Sequence, residues 1–150
     1  MAARVPERES MALKDRVTAA MIRLDIGSER SLFIVFGADG TINRMGTGEE
    51  GSVEKRFFAG STREPILARF LDGVREQALE SPGSFVLPDP KGTPTTLDIR
   101  FVTDDRELKF QFQFGSESEG PPGEICGWVE RAVELTDPWY EEEKKRASRT

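Results

Sequence analysis

The chain of 150 residues contains no histidine and a single cysteine, Cys126. Histidine is the usual general base near neutral pH and the commonest protein ligand of zinc, copper and non-haem iron. Nucleophilic sites of the Ser/His/Asp or Cys/His type therefore cannot be assembled from one copy of this chain. One cysteine forms no disulfide within the chain, which suits a reducing compartment. We predict no catalytic residues, no metal ligands and no cofactor.

Long hydrophobic runs are also missing. The longest run spans residues 32–36, whereas a membrane-spanning helix needs about 20 apolar residues. The first ten residues, MAARVPERES, lack the apolar segment of a secretory signal. These features predict a cytoplasmic protein that has no membrane partner.

The composition is that of a folded protein, with 37% hydrophobic and 32% charged residues. This length can bury one core, so we predict a single domain over residues 15–140. A mobile arm over 1–14 and a charged tail over 141–150 flank it. The formal net charge of -6 disfavours nucleic acid, whose phosphates require clustered Lys and Arg. A basic protein is the partner that this charge favours, although a modest negative charge also simply keeps a protein soluble.

Alternation of apolar and polar residues predicts strands along most of the chain. The unbroken apolar run at 32–36 predicts a central strand covered on both faces, which turns at Asp39 and Gly40 into a partner strand. A second hairpin joins residues 97–101 to a strand that alternates Leu108, Phe110, Phe112 and Phe114 with polar residues. Shorter strands are indicated at 55–59 and 84–87.

Helical spacing of apolar residues predicts two main helices, near 63–79 and 122–136. Asp137 and Pro138 predict the start of a further short helix, as N-cap and first residue. Sequential hairpins favour antiparallel pairing. The predicted fold class is therefore α+β, a single domain with a mostly antiparallel sheet of about five or six strands and the two main helices packed on one face.

A glycine pattern, Gly46-x-Gly48-x-x-Gly51, has the spacing of a dinucleotide-binding loop. That loop requires a parallel strand that leads directly into a helix, and here a hairpin precedes the pattern. Glu49 and Glu50 would also repel a pyrophosphate. We interpret the segment as a connecting loop.

Carboxylates could supply an acid/base pair or an oxygen-ligand metal site, but their spacing matches no ligand pattern, so we interpret them as turn residues or solvated charges. These residues are Asp39, Asp98, Asp104, Asp105, Glu117, Glu119 and Glu124. The phenylalanine stripe from Phe110 to Phe114 is also typical of a platform for single-stranded nucleic acid. Its alternation with Lys109 and two glutamines predicts a core face instead. Cys126 is interpreted as a small packing residue.

Two acidic loops and an aromatic pair are the best candidates for contact with a partner. The residues are Glu49, Glu50, Ser116, Glu117, Ser118, Glu119, Trp139 and Tyr140. Large aromatic residues near a chain end anchor either a partner or the core, and both interpretations stay open. The sequence favours a small acidic protein-binding module of the inhibitor, immunity or adaptor type, without catalytic activity. The alternatives are a histidine-free enzyme that uses carboxylates or an oxygen-ligand metal, and a structural homo-oligomer.

Overall fold

The computed structural model of this chain describes residues 12–49, 55–87 and 91–148. Four helices and seven strands lie within those ranges. In chain order they are α1 (Leu13–Arg16), β1 (Val17–Ile26), β2 (Glu29–Gly37), β3 (Thr41–Gly46), β4 (Phe57–Ser61), α2 (Ile66–Leu71), α3 (Glu76–Leu79), β5 (Gly83–Val86), β6 (Pro94–Thr103), β7 (Glu107–Gly115) and α4 (Gly123–Ser148).

The strands form a single sheet in the order β4-β3-β2-β1-β6-β7-β5. Every neighbouring pair is antiparallel except β5 and β7, which run parallel. The α+β class and the mostly antiparallel sheet are therefore confirmed, whereas the predicted five or six strands are too few. Strands were indicated at the positions of both edge strands, β4 and β5, and the structure joins them with the other five in one sheet.

The prediction of two main helices is also wrong. The segment predicted as one helix over 63–79 forms α2 and α3, which are separated by a turn that includes Gly73. Conversely, α4 is one helix of 26 residues that passes through Pro138. A proline inside a helix removes a hydrogen bond to the carbonyl four residues earlier, here that of Glu134. Both residues are exposed, so water can satisfy the freed carbonyl.

The helices cover one face of the sheet, where the core lies. Phe36 of β2 packs against Phe70 of α2, with ring centroids 5.0 Å apart. Trp128 of α4 packs edge-on against Phe101 and Phe110, on β6 and β7. Farther along α4, Thr136 and Tyr140 contact β3 and Trp139 lies over Gly60 of β4, so this helix reaches the other edge of the sheet. Among the described helices, none combines the length and the apolar character needed to cross a membrane.

The start of the described chain is tied to the domain. The backbone amides of Leu13 and Lys14 donate to the Glu76 carboxylate at 2.7 and 3.0 Å. Arg16 is buried and binds Asp104 and Asp105 in the β6–β7 turn at 3.2 and 2.7 Å. Residues 1–11 of the predicted arm lie outside the described residues. Residues 141–148 of the predicted tail form the last two turns of α4.

Candidate functional site

The second face of the sheet, which we call the open face, is not covered by any helix that the structure describes. The buried residues of α2 and α3 belong to the core cluster on the other face, as do Ile125, Trp128 and Ala132 of α4. Pairing across the strands places Met21 beside Val35, Phe33 beside Met45, and Met45 beside Phe57 on the open face. These five residues form a continuous apolar patch across β1 to β4.

The apolar patch is most exposed at its outer edge. Phe57 is 53% exposed, and its ring centroid lies 6.1 Å from that of Phe33. The Arg30 guanidinium stands 5.8 Å from the Phe33 ring centroid and pairs with Asp25. Met21, Phe33 and Val35 are half-buried, and Met45 is buried. Because apolar side chains that cluster on one face and reach solvent mark interaction sites, this patch with Phe57 at its edge is our candidate surface.

The sequence indicated this surface without identifying it. The unbroken run 32–36 predicted a strand covered on both faces. In the structure Leu32, Ile34 and Phe36 enter the core, whereas Phe33 and Val35 lie on the open face. Phe33 and Val35 are half-buried, and no described helix covers them, so the structure confirms burial of this strand on one face, and cover of the second face stays a prediction.

A fixed charge network bounds the apolar patch on β1 and β6. Asp98 is fully buried although it lies on the open face, because arginine side chains cover it. Its two carboxylate oxygens accept hydrogen bonds from Arg100 at 3.1 Å each, and Arg23 lies 3.8 Å away. These hydrogen bonds raise the pKa of Arg100. The network separates the apolar patch from the polar side chains of β7.

The two acidic loops lie at the same end of the sheet, since β3 and β7 both end there. Glu49 follows β3, whereas Glu117 and Glu119 follow β7, and all three are exposed. Glu50 lies outside the described residues. Four strand spacings of about 4.8 Å separate β3 from β7, so the loops start about 19 Å apart.

The serines of the second loop have a structural role. The Ser116 hydroxyl accepts a hydrogen bond from the Thr93 amide at 2.9 Å, and the Ser118 hydroxyl accepts one from the Lys91 amide at 2.5 Å. These bonds hold the loop against the segment that precedes β6. The loop therefore presents its glutamates from a constrained backbone.

The aromatic pair near the end of α4 packs against β3 and β4. Tyr140 is 1% exposed, and its hydroxyl accepts from the Gly46 amide and donates to the Arg56 carbonyl, both at 3.0 Å. Trp139 is half-buried against Gly60 of β4. Tyr140 is thus an interior residue, as the core-anchor interpretation expects, whereas Trp139 keeps some exposed surface at the sheet edge.

Several carboxylates singled out in the sequence hold the fold together. Asp39 accepts the Thr41 amide, and this hydrogen bond lowers the pKa of Asp39. Glu124 makes two hydrogen bonds with Arg75, at 2.7 and 2.8 Å, which lower the pKa of Glu124. Asp98, Asp104 and Asp105 pair with arginines as described above. No group of three potential metal ligands occurs in the described part of the chain.

A surface groove of about 510 Å³ lies between Gly73 and α4, and Glu124, Glu130 and Glu134 are among the residues that line it. Glu124 is paired with an arginine, and Arg131 donates two hydrogen bonds to the Arg69 carbonyl at 2.9 and 2.6 Å. Arg131 therefore ties α4 to α2, and Glu124 ties α4 to the residue that precedes α3.

Cys126 is partly buried on the first turn of α4, and its thiol donates to the Pro121 carbonyl at 3.4 Å. Burial, and to a lesser degree the charge of Glu130, raise the pKa of the thiol. A thiol with a raised pKa stays protonated at neutral pH and is a poor nucleophile. This environment agrees with the interpretation of Cys126 as a packing residue.

The glycine pattern does not have the geometry of a phosphate-binding loop. Gly46 ends β3, and Gly46 and Gly48 have φ angles of +82° and +88°. A side chain at Gly46 would collide with the Ser31 carbonyl, which explains this glycine by close packing. Gly51 lies outside the described residues. The next described element is the antiparallel strand β4 and not a helix.

Comparison of the sequence with models of known protein families and with curated proteins found no match.

Proposed function

We propose that the protein is a protein-binding module without catalytic activity and that its partner docks on the apolar patch of the open face. The exposure of Phe57 is the main support for this proposal. Its side chain is 53% exposed and lies beside Phe33, on a face that no described helix covers. Burial of such apolar surface drives most protein association. The open face of β2 also supports the proposal, because Phe33 and Val35 on this face are residue types that usually become buried.

The acidic loops favour a basic partner. Glu49, Glu117 and Glu119 are exposed at the end of the sheet where Phe57 also lies, and the whole chain has a net charge of -6. A basic protein fits this arrangement, as inhibitors, immunity proteins and adaptors commonly bind their targets through charged rims around apolar centres. We place this association in the cytoplasm, in keeping with the single cysteine.

Replacement of Phe57 by aspartate tests the patch. The tagged wild-type chain is first used to capture a stoichiometric partner, which is identified by mass spectrometry and purified. Because Phe57 is the most exposed large residue of the patch, we expect Phe57→Asp to raise the Kd by at least about tenfold, the loss of about 1.4 kcal/mol. Isothermal titration calorimetry measures this change.

Val86→Asp is the matched control, because Val86 is 75% exposed on the other edge strand. It should leave the Kd unchanged, and both variants should melt within a few degrees of the wild type. A partner that binds the two variants equally well would remove the apolar patch from the interface. Failure to capture any stoichiometric partner would count against the proposed function as a whole.

Charge reversal of Glu117 and Glu119 together tests the acidic loop. We expect Glu117→Lys, Glu119→Lys to slow association and to weaken its dependence on salt, because exposed charges steer encounter over a Debye length of about 8 Å. Melting should change little, since exposed charges contribute little to stability. Stopped-flow association at two salt concentrations provides the measurement. Rates equal to the wild type at both concentrations would exclude this loop from the encounter surface.

A further inference from the structure

β4 lies at one edge of the sheet, and its outer side carries backbone groups without a partner in the described residues. The Thr62 amide donates to the Gly40 carbonyl at 2.8 Å, which continues the ladder between β4 and β3. Backbone groups alternate in direction along a strand, so those of Phe57, Ala59 and Ser61 point away from β3. Three residues of β4 can therefore pair with a further strand.

Within its five residues, β4 has no lysine, proline or β-bulge, although Lys55 and Arg56 directly precede it. Proteins block exposed edges with lysine, proline or a β-bulge. The five residues of β4 are Phe-Phe-Ala-Gly-Ser, and their register with β3 is continuous. The chain has a net charge of -6, but β4 itself contains no charged residue. Two β4 strands can therefore pair without placing like charges opposite each other within the strand.

The strand is complementary in size to a second copy of itself. In an antiparallel pair centred on Ala59, Phe57 lies opposite Ser61 of the other copy, and Phe58 lies opposite Gly60. Ala59 lies opposite Ala59. Each large residue thus faces a small one, and all three outward residues exchange hydrogen bonds, six in total. A pairing shifted by two residues places Phe58 against Phe58 or leaves Phe57 unpaired.

Trp139 supports the same arrangement on the helix-covered face. A Cβ atom at Gly60 would stand 3.1 Å from the Trp139 ring, so the indole lies directly over this glycine. Phe58 of a second copy, opposite Gly60, would contact the part of Trp139 that is exposed. Phe58 and Trp139 would then both be more deeply buried than in the monomer.

The opposite edge is less suited to this pairing. β5 has four residues, and the Leu87 amide donates inward to the Gln113 carbonyl. By alternation, two residues of β5, Ser84 and Val86, direct their backbone groups outward. Pro82 directly precedes the strand and prevents its extension with outward amides.

We propose that two copies of this chain form a two-fold symmetric dimer through antiparallel pairing of β4. The two sheets become one continuous sheet, and the two open faces lie side by side. This proposal does not depend on the proposed function, because the dimer leaves the apolar patch accessible to another protein.

Substitution of Ala59, at the two-fold axis, tests the dimer with the full chain. Sedimentation equilibrium of the wild type should give twice the monomer mass of 16.8 kDa. Ala59→Lys brings two lysines opposite each other, and we expect it to raise the dimer dissociation constant at least about tenfold. Ala59→Glu should do the same, and an equimolar mixture of the two variants should dimerise again. Ala59 is exposed, so neither change disturbs the monomer.

Val86→Lys at the opposite edge is the control and should leave the dimer intact. Circular dichroism checks that every variant is folded. A wild type that is monomeric at all concentrations overturns the proposal, as does a dimer that persists in both Ala59 variants. Dissociation by Val86→Lys alone would assign the interface to β5 and also overturn it.

Discussion

Replacement of Phe101 by alanine lowers the free energy of unfolding by about 4 kcal/mol, within the usual range of 3 to 5 for a buried phenylalanine. Phe101 is fully buried at the centre of the aromatic cluster. Its ring centroid lies 6.0 Å from that of Phe70, 5.8 Å from Phe110 and 5.4 Å from Trp128. These rings belong to α2, β7 and α4, so the surroundings cannot collapse into the cavity without moving whole elements.

Urea denaturation followed by tryptophan fluorescence measures this loss, with an unchanged m-value as evidence of two-state unfolding. Val102→Ala is the matched control, because Val102 is the next residue of β6 but lies on the open face and is 36% exposed. Val102→Ala should lower the free energy of unfolding by less than about 1 kcal/mol. A loss below about 2 kcal/mol for Phe101→Ala would contradict the packing of the helices on this face.

Replacement of Arg44 by methionine lowers the free energy of unfolding by about 3 kcal/mol. Arg44 is 1% exposed and donates to the Gly46 carbonyl at 3.0 Å, to the Thr136 hydroxyl at 2.9 Å and to Asp137 at 2.8 Å. Its guanidinium lies 4.6 Å from the Tyr140 ring centroid. Methionine retains much of the volume but leaves buried acceptors unpaired, at about 1 to 3 kcal/mol each.

The expected loss is smaller than for a fully buried ion pair. The side chain of Asp137 is 48% exposed, so water can solvate this carboxylate once Arg44 is removed. Arg30→Met is the control, because Arg30 forms its ion pair with Asp25 at the surface and should contribute at most about 1 kcal/mol. If Arg44→Met and the wild type have the same free energy of unfolding, a hydrophobic contact can replace the hydrogen bonds of Arg44 between β3 and α4 without loss of stability.

The local pairing of the strands could be read from the residues. Alternation around Phe110 and Phe112 predicted a hairpin with one buried face, and the structure places both residues in the core beside β6. Hairpins are accessible to sequence reasoning because their contacts are close along the chain and their apolar spacing identifies the buried face. The long pairing of β1 with β6 and the parallel pairing of β5 with β7 leave no such pattern.

Helix boundaries depended on contacts that are distant in sequence. Asp137 and Pro138 have the local signature of a helix start, yet α4 continues through them. The bonds of Arg44 to the carbonyl of Val133 and to the side chains of Thr136 and Asp137 hold this part of the helix on the sheet. Tertiary packing therefore outweighs the local preference, which is worth about 1 kcal/mol for an N-cap residue.

Residue types and their spacing established the α+β class, the apolar faces of the strands and the exclusion of histidine chemistry. These properties follow from which side chains avoid water and from which groups the chain contains. The single sheet of seven strands, the interior position of Tyr140 and the open face with Phe57 at its edge emerged only on folding. The reason is that a pattern of apolar residues records which side chains favour burial, whereas the element that buries each of them, or leaves it exposed, depends on contacts between segments far apart in the chain.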